Sequence, residues 1–158
     1  NYKGEKVADI SVTSSKNLIG INCPKSFNTK SIDEFLTIFL ICAKAKGISK
    51  FVGISELREK ESDRLKIAAR FLKSIGIKVD EKFDSLKIYG NPNLEIKKQV
   101  IIKNFLKDHR VFMMSCVAAL TLGGNFKIYD KMSINSSFPN FLDLLKKLGA
   151  KFDNMQLN

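Results

Sequence analysis

The chain repeats itself, and a repeat is the strongest constraint on what it can fold into. The segment Ile32–Lys46, IDEFLTIFLICAKAK, is nearly all apolar after a charged start, closes at Gly47 and leads into the strand-like Lys50–Ile54. Asp108–Leu122, DHRVFMMSCVAALTL, does the same, closing at Gly123 and Gly124 before the strand-like Phe126–Asp130. An amphipathic helix follows each. Leu65, Ala68, Ala69, Leu72 and Ile75 recur at three- and four-residue spacing before Gly76, and Phe138, Phe141, Leu142, Leu145 and Leu148 share one face before Gly149. IGIKVDE at Ile75 and LGAKFDN at Leu148 match one another. A period of about 75 residues is too long for a solenoid, so each copy reads as a βαβαβ-type unit. The units run from about 17 to 90 and from about 99 to 153.

A helix apolar all round must be buried on every side, so the first helix of each unit is expected inside and the amphipathic one toward solvent. The expected architecture is α/β, helix-centred with sheets outside. Further strand candidates are Ile77–Glu81 and Ser85–Tyr89, the second ending at Gly90 and the turn Asn91–Asn93. The head, Tyr2–Ile21, offers VADISV and NLIGIN, joined by the polar Thr13–Lys16. Ser136-Ser137-Phe138-Pro139 reads as an N-cap with Pro in the first turn. The second unit lacks a final strand after Ala150–Asp153, so the 158 residues read as a single, partial domain.

With 27 Lys and Arg against 16 Asp and Glu, the net charge of +11 favours anionic partners: nucleic acid, an acidic membrane surface or phosphorylated small molecules. The basic residues are spread out and no aromatic-interleaved RNA-binding motif is present, which disfavours nucleic acid. No apolar run reaches membrane-spanning length. The three cysteines, Cys23, Cys42 and Cys116, form no CxxC pair, and their odd number argues for a reducing, cytoplasmic setting. His109 is the only histidine and has no ligand spacing around it, so a metal site is not expected.

The functional candidates gather at helix starts. REKESDRL, Arg58–Leu65, packs two arginines, a lysine and three carboxylates where the amphipathic helix begins, with Ser62 as a candidate N-cap. Lys60 and Arg64 then lie beside the positive end of the helix dipole, a position that favours anions. Composition alone favours a solvated first turn with local salt bridges over an anion site. Asp33-Glu34 and Asp108-His109-Arg110 open the two apolar helices. Arg110, a cation at such a start, needs Asp108, another carboxylate or an anionic ligand.

Five motifs in order, GEKVADI at Gly4, IDEF at Ile32, ELREKESDRL at Glu56, DHR at Asp108 and SSFPNF at Ser136, resemble the C-terminal part of the enolpyruvylshikimate-phosphate synthases, in their bacterial KESDRL form. The resemblance implies an inside-out α/β barrel of repeated βαβαββ units with buried helices. It implies transfer of the enolpyruvyl group of phosphoenolpyruvate to the 5-hydroxyl of shikimate 3-phosphate, without a cofactor. Asp33 would be the general base, Lys60 a contact on the shikimate 3-phosphate side, and Glu61 the proton carrier at the phosphoenolpyruvate methylene. Arg64 and Arg110 would hold the phosphoenolpyruvate anion, with Asp108 and His109 in support.

Ser136 stands where many members of that family carry a lysine, which the resemblance to the KESDRL form implies is a subtype feature that leaves one phosphoenolpyruvate contact open. By the resemblance, the N-terminal domain opposite the site is expected to lie outside this sequence. The fragment is therefore expected to have little or no turnover alone, and the full-length enzyme to be a monomer with no nucleic-acid or membrane partner. The competing readings are a UDP-N-acetylglucosamine enolpyruvyl transferase, a non-catalytic remnant, and a basic nucleic-acid-binding module.

Overall fold

Two helices at the centre organise the molecule, seen in a computed structural model that describes residues 3–4, 6–15 and 17–153. They are α2, Phe35–Ala43, and α4, His109–Leu122, which pack against each other. A 3-10 turn, Lys25–Phe27, and the short α1, Asn28–Ser31, lead into α2. The apolar segment expected to be one helix from Ile32 therefore begins as a turn, Ile32 to Glu34. Beyond α2 come β1, Gly47–Val52, then α3, Arg64–Ser74, and the hairpin β2, Lys78–Lys82, with β3, Ser85–Gly90. The second unit supplies β4, Gln99–Ile102, then α4, β5, Asn125–Ile128, and α5, Phe141–Lys147. The strand β4 escaped sequence reading, since QVII is too short to show a period.

The sheets lie outside the helices. Strands β1, β3 and β2 form an antiparallel sheet in that order, and β4 pairs parallel with β5. Phe51, Leu86, Ile88 and Val79 turn inward from the first sheet into a core shared with Phe35, Phe39, Leu65 and Leu72. Phe39 and Phe51 meet edge to face, with centroids 4.8 Å apart, and Phe35 stacks on Phe39 at 5.5 Å. Gly90 is required where β3 passes the end of α2, because a Cβ there would lie 2.1 Å from Ala45 O.

The duplicated glycines do the same job twice. Gly76 and Gly149 both have positive φ, +89° and +95°. Each closes its helix with a paired bond set: Gly76 N to Lys73 O and Ile77 N to Leu72 O, then Gly149 N to Lys146 O and Ala150 N to Leu145 O. Parallel pairing recurs as well, since Ile19 and Asn22 bridge to Lys46 and Lys50 beside β1 as β4 pairs with β5.

Several expectations need correction. Neither apolar helix is buried on every side: Ile41 of α2 is 50% exposed and Leu120 of α4 48%. Leu18, Thr37, Ile41, Val117 and Thr121 instead line an apolar groove of about 190 Å³ between them. Residues 7–12 form no strand, because no described neighbour supplies a ladder for their backbone, and NLIGIN makes only isolated bridges. Ser136 caps nothing. Ser137 Oγ donates back to Ile134 O, and α5 starts later, at Phe141, leaving Leu148 84% exposed. Tyr2, Glu5 and Lys16 of the expected head and Asn154 of the repeat lie outside the described residues. No helix among the described residues is long and apolar enough to cross a membrane.

Candidate active site

The approach to α3 is fastened by Arg58, to which sequence reading gave no role. Its Nε donates to Phe83 O at 2.8 Å, Nη2 to Lys82 O at 2.8 Å and Glu81 Oε1 at 3.0 Å, and Nη1 to Asp63 Oδ2 at 2.9 Å. One guanidinium thus ties the β2–β3 turn to the first residues of the helix. Asp63, not Ser62, is the N-cap: its Oδ1 accepts from Lys66 N at 2.9 Å. That frees the Ser62 hydroxyl to turn inward, where it donates to Asp108 Oδ2 at 2.8 Å.

Arg64, the first residue of α3, is 1% exposed and enters a cluster drawn from both units. Its Nε donates to Asp108 Oδ2 at 2.9 Å, Nη1 to Asp33 Oδ1 at 2.9 Å, and Nη2 to Glu61 Oε2. Asp108 is 0% exposed and caps α4, accepting from Arg110 N at 3.0 Å and Val111 N at 3.4 Å. The Arg110 side chain turns elsewhere. Its Nη1 donates to Asp33 O at 2.9 Å and Glu34 Oε1 at 3.0 Å, and its Nη2 lies 3.6 Å from Asp33 Oδ2. Asp33 therefore sits between the two guanidinia.

Of the residues the sequence singled out, Asp33, Glu61, Arg64, Asp108 and Arg110 come together. Lys60 is half-buried beside them in the chain, with its ammonium 2.8 Å from Glu56 Oε1. His109 opens α4, half-buried. Ser136 is exposed in the turn beyond the 3-10 segment Lys131–Ile134. Glu34 and Ser62 belong to the cluster, and sequence reasoning had read them only as helix-start residues. The apolar groove shares no residue with the cluster.

The electrostatics follow from burial. Burial pushes the Asp108 carboxyl up, but hydrogen bonds from Arg64 and Ser62 and the Arg64 charge outweigh it, holding the group below its ordinary value. Arg64 mirrors this: burial disfavours its charge, and Asp108, Glu61 and Asp33 more than restore it. The buried cysteines are poor nucleophiles, since burial pushes the Cys116 thiol up to about 12 and raises Cys42 as well. Asp33 and Glu61 have side chains 46% and 52% exposed, so the outer edge of the Arg64 guanidinium meets carboxylates that an incoming anion can exchange for. Two planar guanidinia converging on one carboxylate make a bidentate-capable site for phosphate or carboxylate.

Known proteins share this arrangement of sequence and fold. The 3-phosphoshikimate 1-carboxyvinyltransferase of Zymomonas mobilis is 42% identical over 153 residues, which cover 95% of this chain and 33% of the relative. That of Halorhodospira halophila is 37% identical over 92% of this chain and 32% of its own length. The chain thus spans about a third of the length of these curated relatives. Two solved structures of EPSP synthase from Acinetobacter baumannii superpose with TM-scores of 0.74 and 0.76, at 31% and 27% identity. They cover 83% and 89% of this chain and 30% and 32% of theirs, and share its inside-out arrangement of α/β units. With the family model for EPSP synthase (3-phosphoshikimate 1-carboxyvinyltransferase) matching residues 2–145, the chain belongs to the EPSP synthase family.

Proposed function

We propose that this chain carries one face of the active site of a 3-phosphoshikimate 1-carboxyvinyltransferase. The observation that carries the reading is the convergence of Arg64 and Arg110, from different units, on the carboxylate of Asp33. In the proposed reaction the phosphoenolpyruvate anion exchanges for the Asp33 and Glu61 carboxylates on the two arginines. Asp33, released from Arg64, takes the proton of the 5-hydroxyl of shikimate 3-phosphate as its oxygen attacks C2 of phosphoenolpyruvate. Glu61 gives a proton to C3, forming the tetrahedral intermediate. Glu61, now deprotonated, takes a proton back from C3 as phosphate departs from C2, which completes the enolpyruvyl ether. Lys60 contacts the shikimate 3-phosphate side, and Asp108 and His109 support the arginines.

The rest of the site belongs to a preceding part of the protein. Relatives three times longer support this, as do Val7, Ile10 and Val12, which are 62%, 87% and 87% exposed in a segment with no partner strand among the described residues. Free thiols at Cys23, Cys42 and Cys116 suit a cytoplasmic setting. The test is phosphate release by the full-length protein from phosphoenolpyruvate and shikimate 3-phosphate, with UDP-N-acetylglucosamine as the competing acceptor. Arg110→Ala should lower turnover at least a hundredfold. Turnover with the amino sugar alone, or an undiminished Arg110→Ala enzyme, overturns the assignment.

A further inference from the structure

The Arg64 guanidinium has two edges with different environments. Its inner edge, Nε and Nη2, lies on the wholly buried Asp108, at 2.9 Å from Oδ2 and 3.4 Å from Oδ1. Its outer edge, Nη1 and Nη2, faces the half-exposed Asp33 and Glu61. The same Asp108 carboxylate accepts from Arg110 N and Val111 N, so it also fixes the turn from which the Arg110 side chain projects. Ser62, 2% exposed, completes the set with its hydroxyl on Oδ2. Asp108 touches neither the rim nor the Arg110 guanidinium. It does hold the inner edge of one arginine and the backbone of the other.

We infer that Asp108, oriented by Ser62, is a positioning residue that sets the spacing of Arg64 and Arg110 and thereby the affinity of the site for a phosphate- and carboxylate-bearing anion. This rests on the proposed function for the identity of that anion. A guanidinium without Asp108 keeps its charge but loses the contact that aims its outer edge, and with it the geometry for two parallel bonds to an anion. The Lys60 ammonium is bonded to Glu56 rather than to this set, so the shikimate 3-phosphate side reaches it only through Asp33, whose contact is with the outer edge of Arg64 and not with Asp108.

The experiment uses the full-length enzyme with Asp108→Asn, Ser62→Ala and Ser62→Thr. Asp108→Asn should raise the KM for phosphoenolpyruvate at least tenfold while the KM for shikimate 3-phosphate stays within threefold. Ser62→Ala should raise the first KM severalfold, and Ser62→Thr, which keeps the hydroxyl, should bring it back. If Asp108→Asn does not fold, the Ser62 pair decides. A folded Asp108→Asn with an unchanged phosphoenolpyruvate KM overturns the inference, as does Ser62→Ala that lowers Tm without moving that KM. Calorimetric titration with inorganic phosphate separates this from the functional assignment: a wild-type protein without turnover overturns the assignment, while tenfold weaker phosphate binding by Asp108→Asn still upholds the positioning role and equal binding overturns it.

Discussion

Arg64 and Asp108 form an ion pair at 2.9 Å with side-chain exposures of 1% and 0%, joining the first turn of α3 to the N-cap of α4 across the two units. Because the folded state holds the Asp108 carboxyl below its ordinary value, its contribution to stability is fully present above the unfolded carboxylate pKa of about 3.9. It is lost as pH falls through the lower folded value. The urea midpoint of the wild type should therefore drop steeply below about pH 4. Asp108→Asn should be less stable at pH 7 by about 3 kcal/mol, since it leaves Arg64 buried without its main counter-charge, and its acid loss should be shallower. Parallel midpoint curves from pH 7 to pH 3 would show that the pair is not the acid-sensitive element.

Arg58 yields a prediction independent of catalysis. Its side chain is only 15% exposed and bonds Asp63, Glu81 and two carbonyls of the β2–β3 turn. Arg58→Ala should cost about 2 kcal/mol by chemical denaturation, from the lost charge-assisted hydrogen bonds and the weakened cap. Arg58→Lys should recover less than half of it, because one ammonium cannot span acceptors set out for a planar fork. Full recovery by lysine would mean that charge alone, not the fork, does the fastening.

The position of Asp33 between the guanidinia separates affinity from turnover. As both the proposed base and the group an incoming anion must displace, it affects the two in opposite directions. Asp33→Asn in the full-length protein should bind phosphate or phosphoenolpyruvate severalfold more tightly by calorimetry, while enolpyruvyl transfer falls by about a hundredfold or more. Weaker anion binding in this variant would remove the exchange step.

What could be read from the sequence was what local pattern determines. The paired helices, the Gly76 and Gly149 stops and the grouping of charges at helix starts all follow from spacing. Ser62 and Asp63 both have the chemistry of a cap, and only the inward turn of Ser62 toward Asp108 leaves the cap to Asp63 alone. Arg64 pairs with Glu61 nearby, as the sequence allows, but its buried partner Asp108 lies 44 positions away, set by how the units pack. Val7–Val12 has strand composition but needs a neighbouring strand to become one, which no local pattern supplies.

The apolar faces left open on α2 and α4 give a test whose sign depends on context. Ile41, which lines the groove with Leu18, Val117 and Thr121, is 50% exposed, and Leu120 of α4 is 48% exposed. In this chain alone, Ile41→Ser with Leu120→Ser removes exposed apolar surface, so stability should change by no more than about 0.5 kcal/mol per site. Self-association, followed by light scattering, should fall. Where a preceding portion of the full-length protein packs on this face, the same pair should cost about 2 kcal/mol or more per residue, as loss of buried side chains does. Equal tolerance in both contexts would mean that the face stays open and the preceding portion packs elsewhere.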